Sequence, residues 1–173
     1  MNLLTAFKNI TSFVFDIDGV LTDGTVLVLP NGVQARRMHI KDGFALQMAI
    51  KNGYRVKVIS GGNSPEVLDR LTKLGVTDVS MSVLDKGALL QDWMKTEGLK
   101  KEEVLFMGDD LPDLPALKVA GLPACPADAA DEVKKAAVYI SHLNGGYACV
   151  REVIEKVLRI NGHWEYRVDI ASK

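Results

Sequence analysis

Asp16 and Asp18 stand two residues apart at the end of a short apolar run, Ser12–Phe15, and Gly19 follows them. If the chain stays extended for one more residue, both carboxylates point the same way. Burying them there is costly, so the pair needs a counter-ion. Two turn acids capping the next element fit the same spacing, and the pair alone does not choose. Ser60-Gly61-Gly62 follows a second apolar run, Arg55–Ile59. A hydroxyl and free backbone N–H groups at a strand-to-helix turn can hold a phosphate, although many such turns hold nothing. Lys86 opens a helical pattern, where a solvated surface lysine is the plain alternative. Gly108-Asp109-Asp110-Leu111-Pro112-Asp113 follows Val104–Met107. Three acids in six residues suit Mg²⁺, a hard cation that takes oxygen ligands. Acids favoured by a helix dipole are the alternative there, and Asp113 reads as such a helix cap.

Each cluster follows a run that reads as a buried strand or opens a helix. Ser12–Phe15, Arg55–Ile59 and Val104–Met107 are short, apolar and closed by polar or glycine-rich turns, as in a parallel sheet. Weaker strand patterns cover 78–81, 122–125 and 138–140. Helices fit between them. One is capped by Asp42 and ends at Asn52-Gly53. A second starts at Ser64-Pro65 and stops at Gly75. Others cover 85–95, 113–119, 131–137 and 149–159. Strands alternating with helices predict an α/β fold, a three-layer Rossmann-like parallel sheet with helices on both faces. Such sheets bind ligands at the carboxyl ends of their strands. Residues 25–29 and 33–39 flank Pro30-Asn31-Gly32, and Asn-Gly favours a two-residue hairpin turn. A β-hairpin insert over about 24–39 is therefore expected.

With 173 residues the chain suits one domain over 1–173, ending in a tail over about 161–173 that holds Trp164 and Arg167. A net charge of -1 gives no field to recruit nucleic acid or an anionic membrane. Cys125 and Cys149 fit no metal or redox spacing and read as reduced thiols. Lys8, Asp16 and Asp18 interrupt the apolar N-terminus, which does not read as a signal peptide, and no apolar run is long enough to span a bilayer. A cytoplasmic protein is expected.

The order Asp-x-Asp-Gly, Ser, Lys, Gly-Asp-Asp resembles the four-motif signature of the haloacid dehalogenase superfamily, and the likeness covers nearly the whole chain. It is narrower still toward the small phosphatases similar to 3-deoxy-D-manno-octulosonate 8-phosphate phosphatase, which have no cap domain. Their Asp-x-Asp-Gly-x-x-Thr-Asp-Gly start is matched by Asp16 to Gly24. Asp42-Gly43, Gly108-Asp109-Asp110-Leu111, Gly145-Gly146 and Val150-Arg151-Glu152 match further stretches.

The resemblance implies a Mg²⁺-dependent phosphatase acting through an aspartyl-phosphate. Asp16 is then the nucleophile and Asp18 the acid and base, while Ser60 and Lys86 bind the transferring phosphate. Mg²⁺ is held by the carboxylates of Asp16 and Asp109 and the backbone carbonyl of Asp18, with Asp110 acting through a neighbour or a water. Sugar contacts are implied for His39, Ile40, Lys41, Asp42, Gly43, Gln47 and Arg70, beside Gly61 and Gly62. Gly62 departs from the pattern, since that family carries Arg there. A nonulosonate 9-phosphate therefore stays in play as substrate beside octulosonate 8-phosphate. The family forms tetramers in which hairpins meet and a neighbour's tail reaches the site, which implies a homotetramer with Arg167 as a contact in trans. A two-component receiver domain places its lysine last, whereas Lys86 here precedes Asp109-Asp110. A non-catalytic module on the same fold usually lacks one of the two leading acids, and this chain keeps both.

Overall fold

The computed structural model describes residues 2–165 and 168–170, so Arg167 lies outside the described residues. In chain order the elements are α1 (Leu3–Asn9), β1 (Ser12–Phe15), β2 (Leu27–Val28), β3 (Gln34–Ala35), α2 (Ile40–Lys51), β4 (Arg55–Ile59) and α3 (Pro65–Lys73). Then come β5 (Asp78–Ser80), α4 (Lys86–Thr96), β6 (Val104–Met107), α5 (Leu114–Val119), β7 (Leu122–Cys125), α6 (Asp131–Ala136), β8 (Tyr139–Ile140) and α7 (Cys149–Ile160). Among the described residues, six of the eight strands form one parallel sheet in the order β5-β4-β1-β6-β7-β8.

The sheet winds outward from β1 through β4 to β5, then returns to the other side of β1 for β6, β7 and β8. That reversal opens a crevice at the carboxyl ends of β1 and β6, where sheets of this kind take ligands. The register aligns those ends, with Phe15 opposite both Val58 and Met107.

β1 and β6 are buried on both faces, and their side chains alternate between two cores. Phe13, Phe15, Leu105 and Met107 pack with Leu46 of α2, Leu71 of α3 and Val153 of α7. Val14 and Phe106 pack on the opposite face with Leu90 of α4, Leu117 of α5 and Val133 of α6. Each such side chain stabilises the fold by roughly 1.5–3 kcal/mol. The expected three layers are therefore present, and no cap is evident. Among the described residues no helix is long and apolar enough to cross a membrane.

Several local expectations change. The N-terminal segment forms α1, whose seven residues are too few to print a helical period; the Asn2 side chain caps it by accepting from Leu4 and Thr5 N–H. Asp42 does not cap α2. His39 does, its Nδ1 accepting from the Lys41 N–H at 3.1 Å, while Asp42 sits inside the first turn. The hairpin exists but pairs only Leu27 with Ala35 and Val28 with Gln34. Its loop is the three residues Pro30–Gly32, with Asn31 and Gly32 both at positive φ, closed by the Leu29 N–H to Val33 O at 2.8 Å. Proline ahead of Asn-Gly adds a residue to the turn, so the two-residue form does not arise. A bridge between Thr22 and Met38 ties the base of the insert.

Candidate active site

β1 ends where its ladder to β6 is continued by one bond, the Asp16 N–H to Met107 O at 3.0 Å. Asp16 is thus set at the crevice, and its Oδ1 accepts from the Ile17 N–H at 2.7 Å. The chain then turns sharply through Ile17–Leu21, with Gly19 at φ 84°. No other residue fits there: a Cβ on Gly19 would lie 2.0 Å from Asp109 Oδ2. The Thr22 hydroxyl holds this turn by accepting from Gly19 N–H and donating to Ile17 O. Gly145 and Gly146 seal it from outside, since a Cβ on either would strike the backbone of residues 19–23.

Lys86 sits at the start of α4 with only 3% of its surface exposed, which removes the surface-lysine alternative. Its Nζ donates to Asp113 Oδ1 at 2.6 Å and lies 2.9 Å from Asp16 Oδ2. Asp113 stands at the N-cap position of α5 as expected, but its side chain makes no capping bond to that helix and serves as a buried scaffold instead. Its Oδ2 accepts from the Asp109 and Asp110 N–H groups at 2.9 and 3.3 Å, so both its oxygens are committed. Gly108 makes room for it, as a Cβ there would lie 2.4 Å from the Asp113 carboxyl carbon. Asp110 lines the mouth and accepts from the Leu111 N–H. On the β4 side the buried Ser60 hydroxyl accepts from the Gly62 N–H at 3.1 Å, which leaves its own proton to give to an anion.

These groups line one cleft of about 300 Å³, with Gly24, Gly61 and Pro112 completing the wall. One carboxylate oxygen each from Asp16, Asp109 and Asp113 falls within 4.8 Å of the others. Burial pushes Asp16 up to about 7, helped by the charge of Asp113 and opposed by Lys86. Burial likewise pushes Asp109 up to about 7, with Asp113, Asp16 and Asp110 adding to it. Burial also disfavours the charge on Lys86, but Asp16 and Asp113 outweigh it and hold the ammonium above its ordinary value. Three carboxylates against one ammonium leave a net negative, oxygen-only site, and that fits a hard divalent cation such as Mg²⁺. Asp113 takes three donors on its two oxygens and Asp16 only two, so Asp16 and Asp109 are the carboxylates with more lone pairs left to offer.

Asp18 faces the same cleft with its side chain 42% exposed, and Arg36 reaches across from β3 to pair with it. Spacing carried no signal for Arg36, because Arg36-Arg37 in a hairpin reads as surface charge. Asp113 was visible, but as a cap. The expected sugar contacts fall elsewhere in this chain. Asp42 is buried, with Oδ1 accepting from the Arg151 N–H at 2.6 Å and Oδ2 buried without a hydrogen bond among the described residues. Burial pushes it up to about 7. Gly43 abuts Arg70 and Leu74, and the buried Gln47 donates to Gly43 O. Ile40 and Arg70 line a neighbouring groove of about 420 Å³ that also includes Arg36, while Lys41 opens onto the side of α7. The structure therefore brings together Asp16, Asp18, Ser60, Gly61, Gly62, Lys86, Asp109 and Asp110. It does not bring His39, Ile40, Lys41, Asp42, Gly43, Gln47 or Arg70 into that cleft.

A parallel sheet with an acid pair on its central strand, a buried lysine and an acidic loop on the next strand defines a hydrolase of the haloacid dehalogenase type. The model of haloacid dehalogenase-like hydrolases matches residues 72–153. The 3-deoxy-D-manno-octulosonate 8-phosphate phosphatase of Haemophilus influenzae is 34% identical over 155 residues, covering 90% of this chain and 86% of that one. The crystal structure of the Moraxella catarrhalis phosphatase of the same name, in complex with magnesium, phosphate and KDO, superposes with a TM-score of 0.88 at 30% identity, covering 92% of each chain. A cobalt-bound structure of the Haemophilus influenzae phosphatase superposes at 0.86 with 33% identity, covering 91% of this chain and 92% of that one. The chain belongs to the 3-deoxy-D-manno-octulosonate 8-phosphate phosphatase family of haloacid dehalogenase-like hydrolases.

Proposed function

We propose that this chain is a Mg²⁺-dependent phosphatase that releases phosphate from 3-deoxy-D-manno-octulosonate 8-phosphate through an aspartyl-phosphate on Asp16. The observation that carries the reading is Asp16 itself, a buried carboxylate at a strand end, held by Lys86 in a cleft that also holds Asp18 two residues on. Phosphoryl transfer asks a protein chiefly for positioning and charge neutralisation. Asp16 attacks phosphorus in line and the ester oxygen leaves, taking a proton from Asp18. Asp18 then draws a proton from the water that cleaves the acyl phosphate and regenerates Asp16. The Lys86 ammonium and the Ser60 hydroxyl bind the phosphate oxygens, and Asp113 keeps Lys86 in place. Asp16 and Asp109, with the Asp18 carbonyl, would hold Mg²⁺, which would lessen the repulsion between a carboxylate and a dianionic ester.

Gly62 supports a second substrate, a nonulosonate 9-phosphate. A Cβ at 62 would stand 3.4 Å from Asp18 Oδ2 and 3.7 Å from Arg36 Nη2, so an arginine there would border the leaving group. Phosphate release across a panel of sugar-acid and neutral sugar phosphates with Mg²⁺ tests both. Octulosonate 8-phosphate is expected to give the highest kcat/KM. A nonulosonate phosphate ahead of it would reassign the substrate, and no release from any ester would overturn the phosphatase.

We also propose a homotetramer in the cytoplasm. Val26, Leu27, Val28 and Val33 of the hairpin and Ile40 beside it are exposed apolar side chains. Clustered exposed apolar surface commonly marks a protein interface, and a two-stranded hairpin is marginal alone in water. Two buried free thiols, Cys125 and Cys149, are compatible with a reducing compartment. Light scattering is expected to give four chains per particle. A fully active monomer would remove the assembly.

A further inference from the structure

Arg36 is the charged group closest to the chemistry that no motif accounts for. Its side chain is 8% exposed, and its three nitrogens are all engaged. Nε donates to Asp18 Oδ1 at 2.6 Å, Nη2 to Asp18 Oδ2 at 3.2 Å and Nη1 to Gln34 O at 3.2 Å. The backbone fixes it from both sides, because Ala35 is paired with Leu27 and Met38 is bridged to Thr22. Glu66 of α3 shares the adjoining groove and adds its charge to the guanidinium's surroundings. Gly62 leaves the space beside the pair open.

A guanidinium fork holding both oxygens of a carboxylate sets its plane as well as its position. Asp18 needs this, since it stands on a sharp turn with a half-exposed side chain that no other hydrogen bond between side chains holds among the described residues. With the Asp18 side of the pair 42% exposed, solvent screens much of its contribution to stability, so its consequence lies in geometry. We propose that Arg36 is a positioning residue. It aims the Asp18 carboxyl group at the leaving oxygen: in the acid step one oxygen carries the proton and is let go by Arg36 while the other stays held, and the fork closes again once the proton has left. The hairpin insert thus supplies part of the reaction apparatus as well as cover. Each Asp18 oxygen keeps a second lone-pair direction for the substrate or the attacking water. This inference rests on the acid role proposed for Asp18.

Two esters separate the possibilities. The phenolate of 4-nitrophenyl phosphate leaves without a proton, whereas the alkoxide of octulosonate 8-phosphate needs one. Values of kcat/KM, which report steps up to departure of the leaving group, are compared at saturating Mg²⁺. Asp18→Asn should lower the alkyl ester by about 10²–10⁴ and the aryl ester far less. Arg36→Ala should show the same skew, with the alkyl ester falling about 10²-fold and the aryl ester less than about tenfold. Arg36→Lys keeps the charge without the fork and should fall between. Combined with Asp18→Asn, Arg36→Ala should cost nothing further. Equal losses on both esters, or an undiminished effect in the Asp18→Asn background, would overturn the proposal and make Arg36 a substrate-binding or structural residue. An Asp18→Asn enzyme with no skew would instead remove the acid role of Asp18, and the positioning role with it.

Discussion

Asp16→Asn is expected to leave a folded protein whose turnover falls by about 10⁴ or more, the scale on which loss of a nucleophile is felt. The amide keeps the shape of the side chain, and its carbonyl oxygen can still accept from the Ile17 N–H. It cannot form an acyl phosphate, and it offers a cation a neutral oxygen in place of a charged one. The fold should survive for a physical reason. Asp16 is 6% exposed and burial already disfavours its charge, so a neutral group of the same volume removes a desolvation cost. The loss of a partner for Lys86 is limited because Asp113 Oδ1 still holds that ammonium at 2.6 Å. Thermal unfolding without metal, near neutral pH, should therefore show a midpoint equal to or above that of the unsubstituted protein. Phosphate release is the second measurement. Turnover within about tenfold of the unsubstituted enzyme, well short of the loss of a nucleophile, would sink the covalent mechanism.

The parts of this molecule that the sequence announces are those governed by local rules. β1 and β6 are four-residue apolar runs buried on both faces, as a parallel sheet needs, and β4 follows the same pattern at Val56, Val58 and Ile59 while its buried Lys57 is paired with Asp78. Their order along the chain, with helices between, leaves few topologies open. Ser64-Pro65 and Gly75 mark their helix because proline fits the first turn and Gly75 stands at φ 90° just beyond it. Asp16, Ser60, Lys86 and Asp109 were recoverable because each lies next to such a boundary, so their convergence follows from strand ends being aligned.

What stayed hidden depends on contacts across the chain. Asp113 looks like a cap in any local window; only the fold brings Lys86 within 2.6 Å of it, 27 residues away. Arg36 and Asp18 are joined by a hairpin whose paired strands are two residues long, too short for alternation to announce. Asp42 satisfied every rule for an N-cap, yet the backbone of Arg151 claims its carboxylate and His39 takes the cap. The sugar contacts implied for His39 to Gly43, Gln47 and Arg70 fall outside the catalytic cleft of one chain. Asp42, Gly43 and Gln47 are buried inside the fold, whereas Ile40 and Arg70 line the groove that adjoins the cleft at Arg36.

Removing the metal should have two effects that share one cause. EDTA is expected to silence phosphate release and added Mg²⁺ to restore it, since the carboxylate of Asp16 otherwise meets an anionic ester unshielded. The same cation should stabilise the fold in a pH-dependent way. Asp16 and Asp109 are pushed up to about 7 by burial, against 3.8 in an exposed carboxyl group. Between those values the folded, metal-free protein holds more protons than the unfolded chain, so its stability falls as pH rises through that window. Above about 7 both acids are ionised in the fold and repel one another. Mg²⁺ binds only when they have lost their protons, so its contribution appears as the intrinsic stability declines. At one hundred times its Kd a ligand confined to the native state adds about 2.7 kcal/mol. For a chain of this size that is a rise in Tm of about 5–10 °C. The rise should be large at about pH 8 and small near pH 5.5, where protons compete for both carboxylates. Scanning calorimetry with and without Mg²⁺ at the two pH values measures it. Midpoints unchanged by Mg²⁺ at either pH, with full activity after exhaustive chelation, would show that Asp16 and Asp109 do not form a cation site. Loss of activity without any shift in Tm would place the metal's action on the substrate rather than on these carboxylates.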